Sequence, residues 1–319
     1  MLLKGITTIG DTTPLPPPLP VFTPMLDAYT GSVKAAYSLR KVSSAASYAI
    51  RVRRSTDNAE QDIGFVNEHL DTASLLSFAG SGDAYVSVLY DQSGNGIHML
   101  QTASASWQKK IVNAGALIMA NSRPMGLFDG VNDYYACAAG NEAYFTFMHD
   151  GTLYSIYAIT QFGFTAEAEM ACTVIANTAA ASSGRGISIR YDDRTVQTRN
   201  QALQLTLGNG SSSVAAYLAQ NNTGIAGAIA QITFHFDPSN TTTANRAGYR
   251  VNSNTINTGT TGGAVLSTAA QVAATRIGTI TTGSNAMNGY LPELIILAGD
   301  QSANRTAIES NQKTYFNIS

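Results

Sequence analysis

The sequence predicts an all-β protein built as a two-layer sandwich or jelly roll, with two short helices and an extended N-terminal arm. Apolar and polar residues alternate with a period of two in many short segments, which is typical of strands with one face on a core. Clusters of Gly, Asn, Asp and Ser separate these segments and indicate tight turns. Because strand patterns and helix patterns do not alternate regularly along the chain, a parallel βαβ architecture is excluded.

Residues 1–24 form a proline-rich arm, with five prolines between Pro14 and Pro20 and another at Pro24. Proline fixes φ and lacks an amide hydrogen, so the arm is predicted to be extended and polyproline-like. Two interpretations remain open, a flexible N-terminus or an arm that docks onto a neighbouring subunit. No second linker is evident, so residues 25–319 are predicted to form one domain.

The clearest strand patterns of that domain lie at residues 48–54, 85–90, 186–191, 231–236 and 276–280. In the fourth segment His235 alternates with Phe234 and Phe236, so its ring is expected to point away from theirs.

Two helices are predicted. The first covers Thr72–Phe78, where Asp71 provides the N-cap and Gly80 ends the helix. The second covers Ala303–Phe316, with Ser302 as its N-cap and an apolar stripe at helical spacing.

The composition excludes several classes of function. Charged residues make up 13% of the 319 residues, the formal net charge is −2 and the pI is about 6.1, which excludes electrostatic binding to nucleic acid or to an anionic membrane. Two cysteines exclude a disulfide-rich scaffold and a cysteine-rich zinc module. No apolar run reaches the roughly 18–20 residues that span a bilayer, and we expect no secretory signal at the N-terminus.

The most informative motifs lie between residues 37 and 98. They are, in order, Val52-Arg-Arg-Ser-Thr-Asp-Asn-Ala59, Asp62-Ile-Gly64 and Leu89-Tyr-Asp-Gln-Ser-Gly-Asn-Gly-Ile-His98. In the first and third a strand runs into a tight turn, where Asp accepts amide hydrogen bonds and Gly allows a positive φ. The predicted turn residues are Asp57, Asn58, Asp91, Gln92, Ser93, Gly94, Gly96 and His98.

These three motifs resemble the catalytic domain of the B-type α-L-arabinofuranosidases, family 54 of the glycoside hydrolases. The later motifs Leu127-Phe-Asp-Gly-Val-Asn-Asp-Tyr134 and Asn288-Gly-Tyr-Leu-Pro-Glu-Leu-Ile-Ile296 are similar to strands of laminin-G and concanavalin-A-like lectin domains. The resemblance implies a concanavalin-A-like β-sandwich, which agrees with the period-two pattern.

The resemblance also implies a catalytic pair that this sequence does not complete. The family's nucleophile is the Glu of an Asp-x-Glu motif. The nearest counterpart in this sequence is Tyr191-Asp-Asp193, in which Tyr191 stands at the position of the family's Asp and Asp193 at the position of its Glu. The stretch that matches the family's acid, residues 278–283, carries no carboxylate, although a glycosidase needs two. The family's paired cysteines are missing, since Cys137 and Cys172 stand apart. If the chain were active, Asp193 and Glu293 would be the candidate pair.

Sugar recognition depends on aromatic surfaces beside polar groups. The candidate carbohydrate-binding residues are Trp107, Tyr134, Tyr191 and Asp193, with Trp107 as the expected exposed platform. No cofactor is expected. Asp129, Asn132 and Asp133 could bind calcium through oxygen ligands, and turn hydrogen bonding explains them equally well.

We therefore expect a non-catalytic virion protein of a bacteriophage, a tail, fibre or capsid-decoration component that recognises a host-surface glycan. The Tyr-Asp-Gln-Ser-Gly turn resembles that of domains in phage structural proteins. The expected partners are other virion proteins, reached through residues 1–24, and further copies of the chain, as a trimer by analogy with phage fibres. Two alternatives stay open: an active α-L-arabinofuranosidase-like hydrolase and a purely structural virion subunit.

Overall fold

A computed structural model describes residues 22–163, 171–178, 184–192, 202–211, 213–219, 225–254, 257–258, 266–281 and 285–319 of the chain. Most of the predicted proline-rich arm, residues 1–21, therefore lies outside the described residues. Pro24 at its end has extended backbone, with φ −60° and ψ 139°, and is followed directly by the first element of the domain.

Strands dominate the described residues, so the predicted all-β class is confirmed. In chain order the strands are β1 Val33–Ser38, β2 Ile50–Arg54, β3 Glu60–Ile63, β4 Phe65–Val66, β5 His69–Leu70, β6 Ala84–Leu89, β7 Met99–Leu100, β8 Lys110–Asn113, β9 Ala116–Leu117, β10 Met119–Ala120, β11 Arg123–Pro124, β12 Leu127–Asp129, β13 Tyr135–Cys137, β14 Tyr154–Phe162, β15 Ala171–Ala176, β16 Gly186–Asp192, β17 Ala202–Gly208, β18 Ser213–Ala219, β19 Ala230–Phe236, β20 Ala247–Val251, β21 Asn257–Thr258, β22 Arg276–Ile277 and β23 Asn288–Ala298. The α-helices are α1 Thr72–Ala79 and α2 Arg305–Tyr315, and short 3-10 helices cover Met25–Tyr29, Ala105–Trp107, Glu142–Met148 and Thr243–Asn245.

The strands form two antiparallel layers. The first sheet has the order β1-β23-β14-β19-β20-β21. The second has the order β3-β2-β6-β7-β13-β22-β15-β16-β17-β18. Strand β8 also pairs with β6, and β12 pairs with both β8 and the start of β23. The two layers are thereby joined along one side, as in a jelly roll.

Side-chain alternation fills the space between the layers. In β19, Phe234 and Phe236 belong to the main hydrophobic core, whereas His235 points to the outer face of the first sheet, as predicted. In β23, Leu294 and Ile296 point inward, whereas Ile295 and Leu297 point outward. This period of two is the one that the sequence shows.

Helix α2 covers the outer face of the first sheet. Its Ile308 packs with Tyr157, Ile295 and Leu297 in a second hydrophobic cluster. Because both faces of β14 and β23 are covered, these two strands are buried along almost their whole length.

The helix predictions are confirmed for α1 and partly wrong for α2. The Asp71 side chain accepts a hydrogen bond from Ser74 N at 3.0 Å, and Gly80 ends α1 at a φ of 60°. Helix α2 begins at Arg305 after a turn, with Asn304 at its N-cap, so Ser302 is not the cap. The reason is local, since Asp300 accepts a hydrogen bond from Ser302 N at 2.8 Å and holds a turn there.

The strand predicted over residues 276–280 is shorter in the structure, where β22 ends at Ile277. Gly278 has a φ of 94°, and a Cβ there would lie 2.8 Å from the Phe128 ring, so the chain leaves the strand geometry at this glycine. In the described part of the chain, no helix has the length and apolarity that crossing a bilayer requires.

Candidate functional site

The Asp-Gln-Ser-Gly turn after β6 joins that strand to β1. The Asp91 carboxylate accepts hydrogen bonds from the backbone N–H groups of Ala36 at 3.0 Å and Ile97 at 3.1 Å, and from the Ser93 hydroxyl at 2.7 Å. The Nδ1 of His98 accepts from Asp91 N at 3.0 Å. Every one of these groups is thus used inside the fold.

Gln92 extends the same structural role. Its Nε2 donates to the backbone oxygens of Ser38 at 2.8 Å and Arg40 at 3.0 Å, and its Oε1 accepts from Val42 N at 2.9 Å. Gly94 and Gly96 have φ values of 87° and 72°, which the turn requires. We therefore assign this motif to positioning the strands and not to binding a ligand.

The turn after β2 is built similarly but lies at the surface. Asp57 accepts hydrogen bonds from Arg54, and this pairing lowers the pKa of Asp57 to about 2. Asn58 has a φ of 61° and accepts from Arg53 Nη1 at 2.8 Å. The turn thereby orients the Arg53 side chain, which lies on the solvent-facing surface of the second sheet.

Four side chains on that surface form one row across four strands. Arg53 on β2 lies opposite Tyr85 on β6, Tyr85 opposite Lys110 on β8, and Lys110 opposite Leu127 on β12. Directly opposed residues share a face of a sheet. The row is the floor of an open cavity of about 640 Å³, which we call the outer groove.

Hydrogen bonds and charge hold the row in place. The guanidinium of Arg53 lies 5.0 Å from the centre of the Tyr85 ring and donates to Gln108 Oε1 at 2.8 Å. Lys110 Nζ donates to Asp83 at 2.8 Å, and this bond raises the pKa of Lys110. The Tyr85 hydroxyl donates to the same carboxylate at 3.1 Å. Two cations on a fixed aromatic ring therefore face the groove without reorganisation.

Trp107 and Tyr134, both predicted from the sequence, lie together, and their neighbours in the chain, Ser106 and Asp133, line the outer groove. The ring centres of Trp107 and Tyr134 are 5.8 Å apart, and Trp107 ends the 3-10 helix whose Ala105 and Ser106 line the groove. Tyr134 is buried, whereas Trp107 is half-buried. Trp107 is therefore the member of the pair that can present an aromatic face to a ligand.

Two acidic residues line the same groove at its β12 end. Asp133 is 3% exposed, and burial, with the neighbouring charge of Asp129, raises its pKa to about 7. Asp133 Oδ2 accepts from Asp129 N at 2.9 Å, and Asp129 Oδ1 accepts from Val131 N at 2.8 Å. The two carboxylates thus belong to one turn and to one wall of the groove.

The calcium candidates Asp129, Asn132 and Asp133 are the residues of this turn. The Asp129 and Asp133 carboxylates accept backbone hydrogen bonds, one of them from Asn132 N, as in the turn interpretation of the sequence. Among the residues that the structure describes, no group of three or more His, Cys, Asp or Glu side chains is arranged to hold a metal ion.

Tyr191 and Glu293 are not brought to the outer groove. Tyr191 is fully buried in the main core, where its ring stacks on Phe162 with centres 4.9 Å apart. Glu293 is fully buried under α2, where it accepts from Arg40 Nε at 2.8 Å. This surrounding suits a structural ion pair better than a proton donor to a substrate. Asp193, the remaining predicted residue, lies outside the described residues.

The cysteines remain separate thiols. Cys137 and Cys172 are both buried and form no disulfide, and burial raises the pKa of the Cys137 thiol. A buried thiol of raised pKa has little thiolate and is unreactive.

Arg53, Tyr85, Gln108 and Lys110 are groove residues that the sequence analysis did not single out. Alternation alone puts Arg53 and Tyr85 on the solvent face of their strands, which was the available signal. That these two side chains meet depends on strand register, which the sequence does not show.

Comparison with solved structures shows the fold. A crystal structure of an arabinofuranosidase complexed with arabinofuranosyl-α-1,2-xylobiose is similar with a TM-score of 0.60 and 15% identity, over 92% of this chain and 64% of that one. A family 54 α-L-arabinofuranosidase soaked with a cyclic sulfate inhibitor is similar with a TM-score of 0.61 and 14% identity, again over 92% of this chain and 64% of that one. No family model matches the sequence, and no curated protein matches it.

The predicted concanavalin-A-like sandwich is therefore confirmed as the fold, at an identity too low to transfer activity. The chain spans about 64% of the length of those two enzymes.

Proposed function

We propose that this chain recognises a glycan through the outer groove without cleaving it. The observation that carries the proposal is the cross-strand row of Arg53, Tyr85, Lys110 and Leu127, with the Trp107 ring beside it. Sugar rings need an apolar surface together with fixed hydrogen-bonding groups, and the groove offers both. Its volume of about 640 Å³ has room for more than one sugar ring.

The non-catalytic part of the proposal rests on where the acids lie. The row continues to Glu60 on β3, at the end opposite Asp129. Four strand spacings separate β3 from β12, about 19 Å at 4.8 Å per spacing. A glycosidase pair needs carboxyl groups about 5–9.5 Å apart across the scissile bond. Acids at the two ends of this row are too distant to act together, and Asp129 and Asp133 belong to one wall of the groove and do not face each other across it.

We further propose that the chain belongs to a bacteriophage particle, as a tail, fibre or capsid-decoration component. Low charge, the proline-rich arm and the motif resemblance support this assignment. In it, residues 1–24 dock onto a neighbouring virion protein. Many copies on one particle would raise the apparent affinity of individually weak glycan contacts.

A glycan array probed with the full chain tests the recognition. We expect binding that weakens about tenfold or more in Arg53→Gln, because a hydrogen bond to a charged group contributes about 1.5–3 kcal/mol. The matched control is Arg51→Gln, which removes the same charge from the same strand outside the groove. Trp107→Ala should weaken binding as well, whereas Tyr48→Ala, at an exposed tyrosine elsewhere, should not.

A complete lack of array hits would contradict glycan recognition and would favour the purely structural subunit. Equal weakening in Arg51→Gln and Arg53→Gln would contradict the outer groove as the site.

Hydrolysis is the second candidate function, and one observation favours it. Burial raises the pKa of Asp133 to about 7, so a substantial fraction of this carboxyl is protonated at neutral pH, and Asp133 lines a groove together with Asp129. Incubation with an aryl α-L-arabinofuranoside tests this candidate. Turnover lost in Asp133→Asn would assign it to the groove, whereas turnover lost in Asp193→Asn would assign it to the counterpart of the family's nucleophile.

A further inference from the structure

A second cavity lies on the other sheet, between its outer face and the N-terminal end of α2. Its volume is about 260 Å³, and we call it the helix cavity. Ser155 on β14, Thr233 and His235 on β19 and Arg250 on β20 line it from the sheet, and Arg305 lines it from the helix. Ser155 lies directly opposite His235, and Thr233 opposite Arg250, so these four side chains share one face.

Two buried arginine nitrogens that lack an acceptor are the distinctive feature of the helix cavity. The Nε atoms of Arg250 and Arg305 are buried and have no hydrogen-bond partner among the described residues. Arg250 forms an ion pair with the buried Glu309, whose Oε1 lies 3.4 Å from Arg250 Nε without the geometry of a hydrogen bond, and Arg250 Nη2 donates to the backbone oxygen of Ser253. A buried donor without an acceptor lowers the stability of the fold. An acceptor group bound in the cavity would remove this penalty.

At the end of the cavity formed by Arg305 and the start of α2, the surroundings favour an anionic group over a cationic one. No three of the described His and Asp side chains around the cavity are arranged to hold a metal ion, and two guanidinium groups repel a cation. The cavity also adjoins the first turn of the eleven-residue helix α2, where the helix dipole is positive. Burial lowers the pKa of His235, so this imidazole is neutral at pH 7 and can donate or accept a hydrogen bond.

Two carboxylates at the cavity narrow the class of anion. Asp237 accepts a hydrogen bond from Asn240 at 2.8 Å, and Asp300 accepts from Ser302 N at 2.8 Å, so both are fixed by their own loops. They repel a multiply charged anion such as phosphate, but their remaining lone pairs accept from hydroxyl groups. The fitting ligand carries one carboxylate and several hydroxyls.

We propose that the helix cavity binds one acidic monosaccharide unit, a hexuronic acid, whose carboxylate lies between Arg305 and Arg250. The ring hydroxyls face Asp237 and Asp300. Drug-sized ligands occupy about 300–1,000 Å³, so a cavity of about 260 Å³ accepts one ring. This site is separate from the outer groove and does not depend on what binds there.

Titration calorimetry of the full chain with D-galacturonic acid tests the proposal, with D-galactose and inorganic phosphate as comparison probes. We expect D-galacturonic acid to bind and both comparison probes to bind at least about tenfold more weakly. Arg305→Gln should weaken D-galacturonic acid binding by about tenfold or more. Lys313→Gln removes the same charge from the last turn of the same helix, outside the cavity, and should leave the affinity within about twofold.

Thermal unfolding of each variant shows whether it is folded, and Arg305→Gln should retain the transition because its side chain is only partly buried. Should Arg305→Gln fail to fold, Ser302→Tyr is the second variant. It adds bulk to the cavity from an exposed position and is expected to abolish binding.

Three results would overturn the proposal: equal affinity for D-galactose, tighter binding of phosphate, or unchanged D-galacturonic acid affinity in the folded cavity variants. Arg53→Gln in the outer groove should leave this affinity unchanged. If Arg53→Gln weakened it, the uronic acid would be bound in the groove instead. Failure of the cavity and failure of the groove are thus separate outcomes.

Discussion

Glu293→Gln tests the structural interpretation of the buried carboxylate under α2. One carboxylate oxygen accepts from Arg40 Nη2 at 3.1 Å and Gln312 Nε2 at 3.0 Å. The other accepts from Ser38 Oγ at 2.6 Å and Arg40 Nε at 2.8 Å. Whichever oxygen becomes an amide nitrogen, two buried donors lose their acceptor.

The expected loss of unfolding free energy follows from this arrangement. Each unsatisfied buried donor costs about 1–3 kcal/mol, and breaking a buried ion pair from one side costs about 3–5 kcal/mol. The side chains of Arg40 and Glu293 are 1% and 0% exposed, so water does not replace the lost acceptor. Burial opposes the charge on Arg40, but Glu293 and Glu68 outweigh it and raise its pKa. We therefore expect Glu293→Gln to lose about 3–5 kcal/mol.

Urea unfolding followed by intrinsic fluorescence measures this loss. Glu68→Gln is the matched control, because Glu68 is the second carboxylate partner of Arg40, at 2.7 Å, but is 26% exposed. Its removal should cost about 1 kcal/mol or less. If Glu293→Gln lost no more than Glu68→Gln, the buried pair would not hold α2 on the sheet as we argue.

Three further predictions concern stability. Asp91→Ala should lower the unfolding free energy measured in urea by about 2–4 kcal/mol, because the backbone N–H groups that donate hydrogen bonds to this carboxylate lose their acceptor. Gly289→Ala should lose about 2–4 kcal/mol in thermal unfolding, since φ is 132° and a Cβ would overlap the Gln161 carbonyl oxygen. The pKa of Asp133 is raised from 3.8 to about 7 in the folded state, so the folded state binds the extra proton and stability falls as pH rises from 4 to 7. Asp133→Asn should remove this fall, measured as the pH dependence of unfolding free energy.

Each of these predictions has a control in the chain. Asp150→Ala removes a turn carboxylate that accepts from Thr152 and should cost clearly less than Asp91→Ala. Gly31→Ala meets no atom within 4 Å and should be nearly neutral, so equal effects at both glycines would contradict the steric reasoning. A pH dependence that survived in Asp133→Asn would assign the proton to another group.

The fold class and the local turns could be predicted because they depend on short-range rules. Period-two alternation identified the inward residues of β19, and the Asp71 and Gly80 signals placed α1 within one residue. Helix α2 and β22 were misjudged at their ends, where the Asp300 turn and the close packing around Gly278 decided the boundary. Neither contact is visible in a local pattern.

The candidate site was less predictable. Trp107 and Tyr134 were singled out as aromatic candidates and lie together, but Tyr191 proved to be a core residue. A tyrosine in a strand serves equally well in a core or in a cleft, and only the packing around it distinguishes the two.

Local patterns in the sequence are enough to establish that this protein is a β-sandwich, which residues of its strands point inward and where its tightest turns lie. Those properties follow from side-chain alternation and from backbone angles that few residues adopt. The tertiary structure decided which side chains meet. Arg40 and Glu293 form a buried pair across 253 positions, and Arg53 meets Lys110 across Tyr85. Strand order and register create these neighbours, and no local pattern encodes them.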